Sequence, residues 1–253
     1  SLTTDAGGTT SLRNVTTTGA QTYNDAVTLD GIYATGSGAF AANGVVTLGG
    51  ATTVNGGSSV LFAGTVDGAQ ALVVNNKGAT QFTGAVGGTT ALASLTTDAG
   101  GTSSLKSVTT TGAQTYNDAV TLDGTYRATG STVTFNAAAT LGGAATVNAR
   151  TGTFNGTVDG AQALTIAGTG TTQFNATVGG TTALASLTTE AGATVGLLDV
   201  TTTGAQTHNA ATTLNGAYST GSGAFTANGA VTLGGDTTVN GGAATFTGAV
   251  DGA

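Results

Sequence analysis

The chain has 253 residues, enough for one or two globular domains, but only 7% of them are charged, against about 25% in a typical soluble domain. The balance of 5 Lys and Arg against 12 Asp and Glu gives a net charge of −7. Nucleic acids and anionic membranes both attract clustered cations, so we expect no nucleic-acid partner and no membrane contact in this segment. The absence of Cys excludes disulfides and thiolate metal sites.

The strongest pattern is a long internal repeat. Residues 1–9 read SLTTDAGGT, and the phrase returns unchanged at residues 94–102 and with Glu190 and Ala193 as its only changes at residues 186–194. Self-similarity at a fixed period indicates an array in which each unit buries its apolar side against its neighbours. We expect one continuous rod, cut from a longer protein, with three parts: repeat 1 at 1–93, repeat 2 at 94–185 and a partial repeat 3 at 186–253.

A shorter rhythm runs inside each long repeat of about 93 residues. Aromatic residues recur at intervals of 17, 22, 20 and 34, the last of which corresponds to two coils: Tyr23, Phe40, Phe62, Phe82 and Tyr116. This spacing predicts coils of about 17–22 residues, five of which would fill one long repeat. Short β-rich runs between Gly or Asn residues alternate as strands do, for example 71–74, 80–82, 133–135 and 163–166.

These runs predict an all-β chain, because no segment has the apolar spacing of a helix and the abundant Gly and Thr would weaken one. Stacked coils of this length form a parallel β-solenoid, here with about 13 coils, in which each strand lies about 4.8 Å above its predecessor. Phe40 and Phe225 align with Val133, whereas Phe135 lies two residues on and on the same side of the strand. That shared side is therefore predicted to face the core.

The corners of the coils are predicted from the polar and small residues. We expect Asn and Thr to form hydrogen-bonded ladders there, and Gly to supply left-handed turn conformations. Five pairs fit such turns: Asn43-Gly44, Asn55-Gly56, Asp67-Gly68, Asp123-Gly124 and Asn155-Gly156.

Three phrases resemble repeats of giant bacterial exoproteins of the filamentous-haemagglutinin and autotransporter-adhesin type: VDGAQAL at 66–72, VGGTTAL at 86–92 and VTTTGAQTY at 108–116. The resemblance covers the whole chain but rests on low-complexity phrases. It implies a right-handed parallel β-helix, secretion through an outer-membrane pore, and a role as an adhesin stalk or matrix fibre. It supplies no catalytic residue to transfer.

His208 is the only histidine of the chain, and it occupies the position of Tyr23 and Tyr116 in the other repeats. We interpret it as a ring used for packing. A single His without Cys partners does not build a zinc site, and a catalytic triad would need a positioned nucleophile beside it.

The carboxylates recur at repeat positions rather than clustering. The series are Asp5, Asp98 and Glu190; Asp67, Asp159 and Asp251; Asp30 and Asp123, with Asn215; Asp25 and Asp118, with Ala210. Glycoside hydrolysis needs one carboxylate pair at a defined separation. We therefore interpret these positions as turns. In particular, we interpret the position of Asp25, Asp118 and Ala210 as a turn exposed to solvent.

Two further surface patterns involve the threonines and the cations. Ice binding would need a Thr-x-Thr rank on every coil, whereas the triplets 16–18 and 109–111 occur once per long repeat and do not predict one. Arg13 and Lys106 share a position that is Leu198 in repeat 3, so we expect these two cations to lie on a face of the solenoid rather than to bind a specific anion.

Together these patterns predict a structural, non-enzymatic fibre or adhesin stalk, outside the cell on a bacterial surface, that mediates attachment or matrix formation. We expect no catalytic, cofactor-binding or metal-binding residue, and partners that are other copies of the chain or surface and matrix glycans. The alternative is a self-assembling subunit of an extracellular filament or sheath. A carbohydrate-active β-helix enzyme is the less favoured alternative, because it would require a non-repeating acidic or basic cluster.

Overall fold

The computed structural model describes residues 1–252, which contain strands, turns and bends but no helix. The fold is the predicted all-β parallel β-solenoid, with about 13 coils of about 19 residues each. The chain divides into two compact units, Ser1–Thr121 and Leu122–Ala253.

The first unit is built from short strands separated by turns. They are β1 (Leu2–Thr4), β2 (Thr9–Thr16), β3 (Gln21–Tyr23), β4 (Ala26–Ala34), β5 (Phe40–Ala42), β6 (Val46–Gly56), β7 (Ser59–Phe62), β8 (Val66–Asp67), β9 (Ala71–Asn76), β10 (Ala79–Phe82), β11 (Ser94–Thr97), β12 (Thr102–Leu105), β13 (Val108–Thr110) and β14 (Gln114–Tyr116).

The second unit is also built from strands and turns. After β15 (Ala119–Phe135), which begins in the first unit, come β16 (Ala139–Phe154), β17 (Val158–Asp159), β18 (Ala163–Ile166), β19 (Thr171–Phe174), β20 (Ser186–Thr189), β21 (Thr194–Leu197), β22 (Val200–Thr201), β23 (Gln206–His208), β24 (Ala211–Ser219), β25 (Ala224–Ala227), β26 (Val231–Asn240), β27 (Ala243–Phe246) and β28 (Val250–Gly252).

The strands of the first unit lie in three parallel stacks, one for each side of the coil. Stack 1 contains β1, β3, β5, β7, β10 and β12. Stack 2 contains the first parts of β2, β4 and β6, followed by β8, Val86 and β13. Stack 3 contains the last parts of β2, β4 and β6, followed by β9, β11 and β14.

The second unit repeats this three-sided arrangement. Stack 4 contains the start of β16, then β17, Val178, β22 and the last parts of β24 and β26. Stack 5 contains the middle of β16, then β18, β20, β23, β25 and β27. Stack 6 contains the end of β16, then β19, β21, the first parts of β24 and β26, and β28.

The length of a coil varies, and two loops account for the longest coils. A short coil separates Thr10 from its stacked partner Val27, whereas a longer coil separates Val74 from its partner Thr97. The longer coil contains the Gly-Gly-Thr-Thr segment of residues 87–90, which follows Val86. A matching segment at residues 179–182 lengthens the coil of the second unit that separates Leu164 from its partner Leu187.

The long sequence repeat does not contain a whole number of coils. Leu2 pairs with Gln21 in stack 1, whereas its repeat equivalent Leu95 pairs with Gln114 in stack 3. One long repeat therefore spans four coils and two further sides, and the prediction of five coils per repeat was wrong. The reason is the coil length, because the inserted loops make the average coil longer than one fifth of a repeat.

The second unit shows the same offset independently. Ala139 pairs with Val158 in stack 4, whereas its repeat equivalent Val231 pairs with Val250 in stack 6. Successive copies of a repeat position thus occupy different sides of the solenoid.

The core is a set of side-chain columns, as the aromatic spacing predicted. In the first unit Phe62 lies 5.5 Å from Phe40 and 4.8 Å from Phe82, measured between ring centroids. Val133 and Phe135 are both buried, which confirms that their shared side faces inward. Aromatic pairs at these separations add about 0.5–1.5 kcal/mol to the burial of their surface.

The corners carry the predicted amide ladders, in which each side-chain N–H donates to the carbonyl oxygen of an Asn on the preceding coil. The bonds are 2.7–2.8 Å long and join Asn43 to Asn24, Asn75 to Asn55, Asn155 to Asn136, Asn175 to Asn155 and Asn228 to Asn209. Because each amide can both donate and accept, the ladder satisfies polar side chains at the edge of the core.

Glycine has two different uses at the corners. Gly68 and Gly124 adopt the left-handed conformations predicted for Asp-Gly pairs, with φ of 126° and 114°. The Asn-Gly pairs do not, and that part of the prediction was wrong. At Gly44, and at Gly64 and Gly84 above it, the reason is close packing, since a Cβ would collide with the backbone of the preceding coil.

We expect Gly64→Ala to destabilise the solenoid by about 1–3 kcal/mol, because the added methyl group would meet the carbonyl oxygen of Gly44. Gly19→Ala is the matched control, since its nearest contact would be the Ser1 nitrogen at an ordinary 3.8 Å. Urea unfolding followed by circular dichroism compares the two variants. Equal midpoints for both would contradict the requirement for glycine in this column.

Candidate functional site

The position shared by Tyr23, Tyr116 and His208 lies in the core, and all three side chains are fully buried. The Tyr23 hydroxyl donates to Gln21 Oε1 at 3.0 Å, and the Tyr116 hydroxyl donates to Gln114 Oε1 at the same distance. The interpretation of this position as a packed ring is therefore confirmed.

His208 lacks the hydrogen bond that the two tyrosines make. Its ring packs against Phe225 with centroids 5.2 Å apart, and both of its nitrogens are without a partner among residues 1–252. The nearby acceptor Gln206 Oε1 is unpartnered as well. Burial lowers the pKa of His208 to about 4, so the imidazole is neutral at pH 7. Without an orienting group on either nitrogen, this ring has no partner of the kind that a triad uses.

Asp25 is held by two hydroxyl groups of the preceding coil. Thr4 Oγ1 donates to Asp25 Oδ1 at 2.7 Å, and Thr10 Oγ1 donates to Oδ2 at 2.6 Å. The hydrogen bond from Thr10, followed by that from Thr4, lowers the pKa of this carboxyl. Only 7% of Asp25 is exposed, so the interpretation of this series as a solvated turn was wrong.

Asp118 repeats this arrangement in the next copy and is 3% exposed. Thr97 Oγ1 donates to Oδ1 at 2.8 Å and Ser103 Oγ donates to Oδ2 at 2.7 Å. Here burial outweighs the two hydrogen bonds and raises the pKa of the carboxyl. We call this arrangement of one carboxylate and two hydroxyl groups the acid cage. The sequence did not show it, because Ser103 and Thr97 lie 15 and 21 residues before Asp118 and meet it only when the coils stack.

The third copy replaces the cage with smaller or apolar side chains. Ala210 stands in place of the Asp, and Val195 stands in place of Ser103. Thr189 is retained, and its buried hydroxyl has no partner among residues 1–252. The loss of the acid and of one hydroxyl together avoids leaving two unsatisfied donors in the core.

Two other carboxylates fix the long loops. Asp67 Oδ1 accepts hydrogen bonds from the backbone nitrogens of Thr89 and Thr90 at 2.8 and 2.9 Å. Asp159 holds Thr181 and Thr182 in the same way at 2.8 and 3.0 Å. These acids organise backbone from one coil to the next.

The remaining charged residues are spread over the surface. Arg13 Nε lies 3.3 Å from Asp30 Oδ2, and the Arg13 side chain is 75% exposed, so this ion pair contributes little to stability. Within residues 1–252, no three His, Asp or Glu side chains form a group that could hold a metal ion.

A threonine rank crosses stack 5, with one Thr on each strand rather than the Thr-x-Thr pattern considered for ice binding. Its members pair in register on six successive strands and point outward: Thr146, Thr165, Thr188, Thr207, Thr226 and Thr245. Adjacent strands of a sheet lie about 4.8 Å apart, so the rank presents one hydroxyl and one methyl group at each such step. The sequence hid the rank because the loop at 179–182 makes the interval from Thr165 to Thr188 longer than the interval from Thr146 to Thr165.

A groove in the first unit was also missed in the sequence. It lies beside Asn75, Asn76 and Lys77, and it has a volume of about 310 Å³. A signal was available, because the second copy has Ala167, Gly168 and Thr169 at these positions.

Comparison with protein families, with curated proteins and with solved structures found no match for this chain. In residues 1–252 there is no helix of the length and apolar character that crossing a membrane requires. The β-solenoid fold is therefore what the structure establishes, and it is compatible with structural and with enzymatic roles.

We expect the stability of the chain to rise with pH between about 4 and 6.5 because of His208. Its pKa is about 4 in the folded chain and near 6.5 in the unfolded one, so the unfolded chain binds more protons in this window. The effect is on the order of 3 kcal/mol across the window. Urea unfolding of the native chain and of His208→Phe from pH 4 to pH 7 measures it.

The Phe variant should lose this difference, and a pH slope equal to that of the native chain would contradict the assignment. His208→Tyr should also lose it, and should gain about 1 kcal/mol at pH 7, because its hydroxyl can donate to Gln206 Oε1 as Tyr116 does to Gln114.

The acid cage predicts a coupled pair of substitutions. Asp118→Ala leaves the hydroxyls of Thr97 and Ser103 without their acceptor, and we expect a loss of about 1–3 kcal/mol. Adding Ser103→Val reproduces the third copy and should recover part of that loss. A double-mutant cycle from thermal unfolding measures the coupling, and strict additivity of the two substitutions would contradict the cage.

Proposed function

We propose that this chain is a non-enzymatic structural segment of a bacterial surface fibre or adhesin stalk that mediates attachment or matrix formation. The observation that carries the proposal is the solenoid itself, in which short strands pair in register in every coil of each unit. Such an array extends by adding coils, and each coil contacts only its neighbours. The resemblance of the repeat phrases to filamentous-haemagglutinin and autotransporter adhesins supports the same role.

The surface supports this proposal in a second way. The threonine rank of stack 5 presents the same half-exposed side chain on successive coils. Weak contacts repeated along one partner gain avidity without any strong single site. Surface or matrix glycans and other copies of the chain are the partners that we propose for such a face, with the extracellular surface as its location.

The second candidate function is a self-assembling subunit of a filament or sheath. The observation that favours it is the parallel pairing of each coil with the next, because strands that pair in this way within one chain can also pair between copies of the chain.

Electron microscopy of the native cell surface, with an antibody raised against this chain, tests the two candidates. Labelled thin fibres fixed at one end to the cell are expected for the stalk. Long regular filaments or a continuous sheath would favour the assembling subunit, and label confined to the cell interior would overturn both. Cells from which the gene has been deleted provide the control for the antibody.

A further inference from the structure

The buried polar atoms without a partner are concentrated at one place in the core of the third copy. Within residues 1–252, five buried side-chain nitrogen or oxygen atoms have no hydrogen-bond partner, and four of them belong to Thr189, Gln206 and His208. Gln206 and His208 lie two residues apart on β23, and Thr189 of β20 pairs in register with His208. All three residues are 0% exposed, so they form one buried polar cluster.

The amide of Gln206 is held in a fixed orientation. Its Nε2 donates to three groups at 2.9–3.3 Å, namely the carbonyl oxygens of Val200 and Ser219 and the hydroxyl of Thr202. In the first copy the amide of Gln21 makes the three equivalent hydrogen bonds, and its Oε1 accepts the hydroxyl of Tyr23 at 3.0 Å. The Oε1 of Gln206 therefore points to the place that a tyrosine hydroxyl occupies in the first copy.

The rings around His208 keep the arrangement of the first copy. Phe225 lies 5.2 Å from His208 at an interplanar angle of 50°, whereas Phe40 lies 5.5 Å from Tyr23 at 52°. Tyr218 also keeps its distance from Phe225, which is 5.9 Å against 6.1 Å for the same pair in the first copy. The aromatic column has therefore not closed over the part of the tyrosine that the shorter imidazole lacks.

A second substitution beside His208 also removes side-chain atoms from the core. Ala210 stands where the first copy has Asp25, the carboxylate that accepts the hydroxyl of Thr4. Thr189 is the equivalent of Thr4, so it keeps the hydroxyl but not the acceptor. The third copy thus combines fewer side-chain atoms with polar groups that need hydrogen bonds.

We propose that the third copy binds one buried water molecule between Gln206 Oε1 and His208, at the place of the tyrosine hydroxyl in the first two copies. The water donates one hydrogen to Gln206 Oε1 and forms its second hydrogen bond with a ring nitrogen of His208. Thr189 lies one strand spacing from the ring, about 4.8 Å, and its hydroxyl is the third polar group of the site. Buried waters in proteins make about three hydrogen bonds of this kind.

A neutral ligand suits this site better than an ion. Burial lowers the pKa of His208 to about 4, so at pH 7 the ring is neutral and has one donor and one acceptor nitrogen. Ala210 removes the carboxylate that could balance a cation, and an unpaired buried charge would carry the full cost of desolvation. Water can donate and accept, so it matches either orientation of the ring.

Crystal structures of the full chain and of its His208→Tyr variant test the proposal. We expect density for one water at about 2.5–3.0 Å from Gln206 Oε1 in the native chain. In the variant the tyrosine hydroxyl should take its place. The first copy is the internal control, because Tyr23 already occupies Gln21 Oε1 and no water should lie there. A dry core at Gln206, or a direct bond from Gln206 Oε1 to the imidazole, would overturn the proposal.

Nuclear Overhauser effects between water and the protein give a second measurement, in solution. The native chain should show cross-peaks from water to the ring protons of His208 and Phe225, and His208→Tyr should lose those to Phe225. The hydroxyl of Thr189 can also exchange with water, but it is present in both chains. Equal cross-peaks to Phe225 in the native chain and the variant would therefore contradict the water site. This site is independent of the proposed function, so neither result bears on the fibre.

Discussion

The structure depends on one constraint, which is that each coil must stack in parallel register on the coil before it. Register places every inward side chain in a column and every corner against another corner. The columns tolerate a change of residue as long as the volume and the polar partners of the neighbouring coil still fit. The corners tolerate less, since at Gly64 and Gly84 the backbone of one coil lies against the backbone of the next. The high glycine content follows from this closeness as much as from left-handed turns.

The same constraint explains why polar groups enter the core as sets. Asp25 is buried with both hydroxyls that it needs, one from each side of the preceding coil. An unpaired carboxylate there would carry the full cost of desolvation, whereas the complete set is nearly neutral. The third copy removes the acid and one hydroxyl together, but retains Thr189 and exchanges a tyrosine for His208. Unsatisfied atoms concentrate in this copy as a result.

Much of the fold could be predicted from the sequence because the apolar residues stay at alternate positions, and therefore on the same side of each strand. The aromatic spacing predicts the coil length, and the displacement of the aromatic ring from the Val133 position to Phe135 predicts the inward side. What the sequence did not reveal depends on register between coils. The cage around Asp118 and the rank from Thr146 to Thr245 join residues at unequal spacings, because the loops at 87–90 and 179–182 lengthen some coils. A pattern with a variable period is invisible until the strands that pair are known.

The mismatch between coil and repeat has a consequence for the surface. Leu2 and Leu95 occupy equivalent sequence positions on different sides of the first unit. Within each unit, a feature that recurs one repeat further along the chain therefore lies on a different side from its first copy. A rank such as that of the threonines behaves differently, because it is set coil by coil and stays on one side.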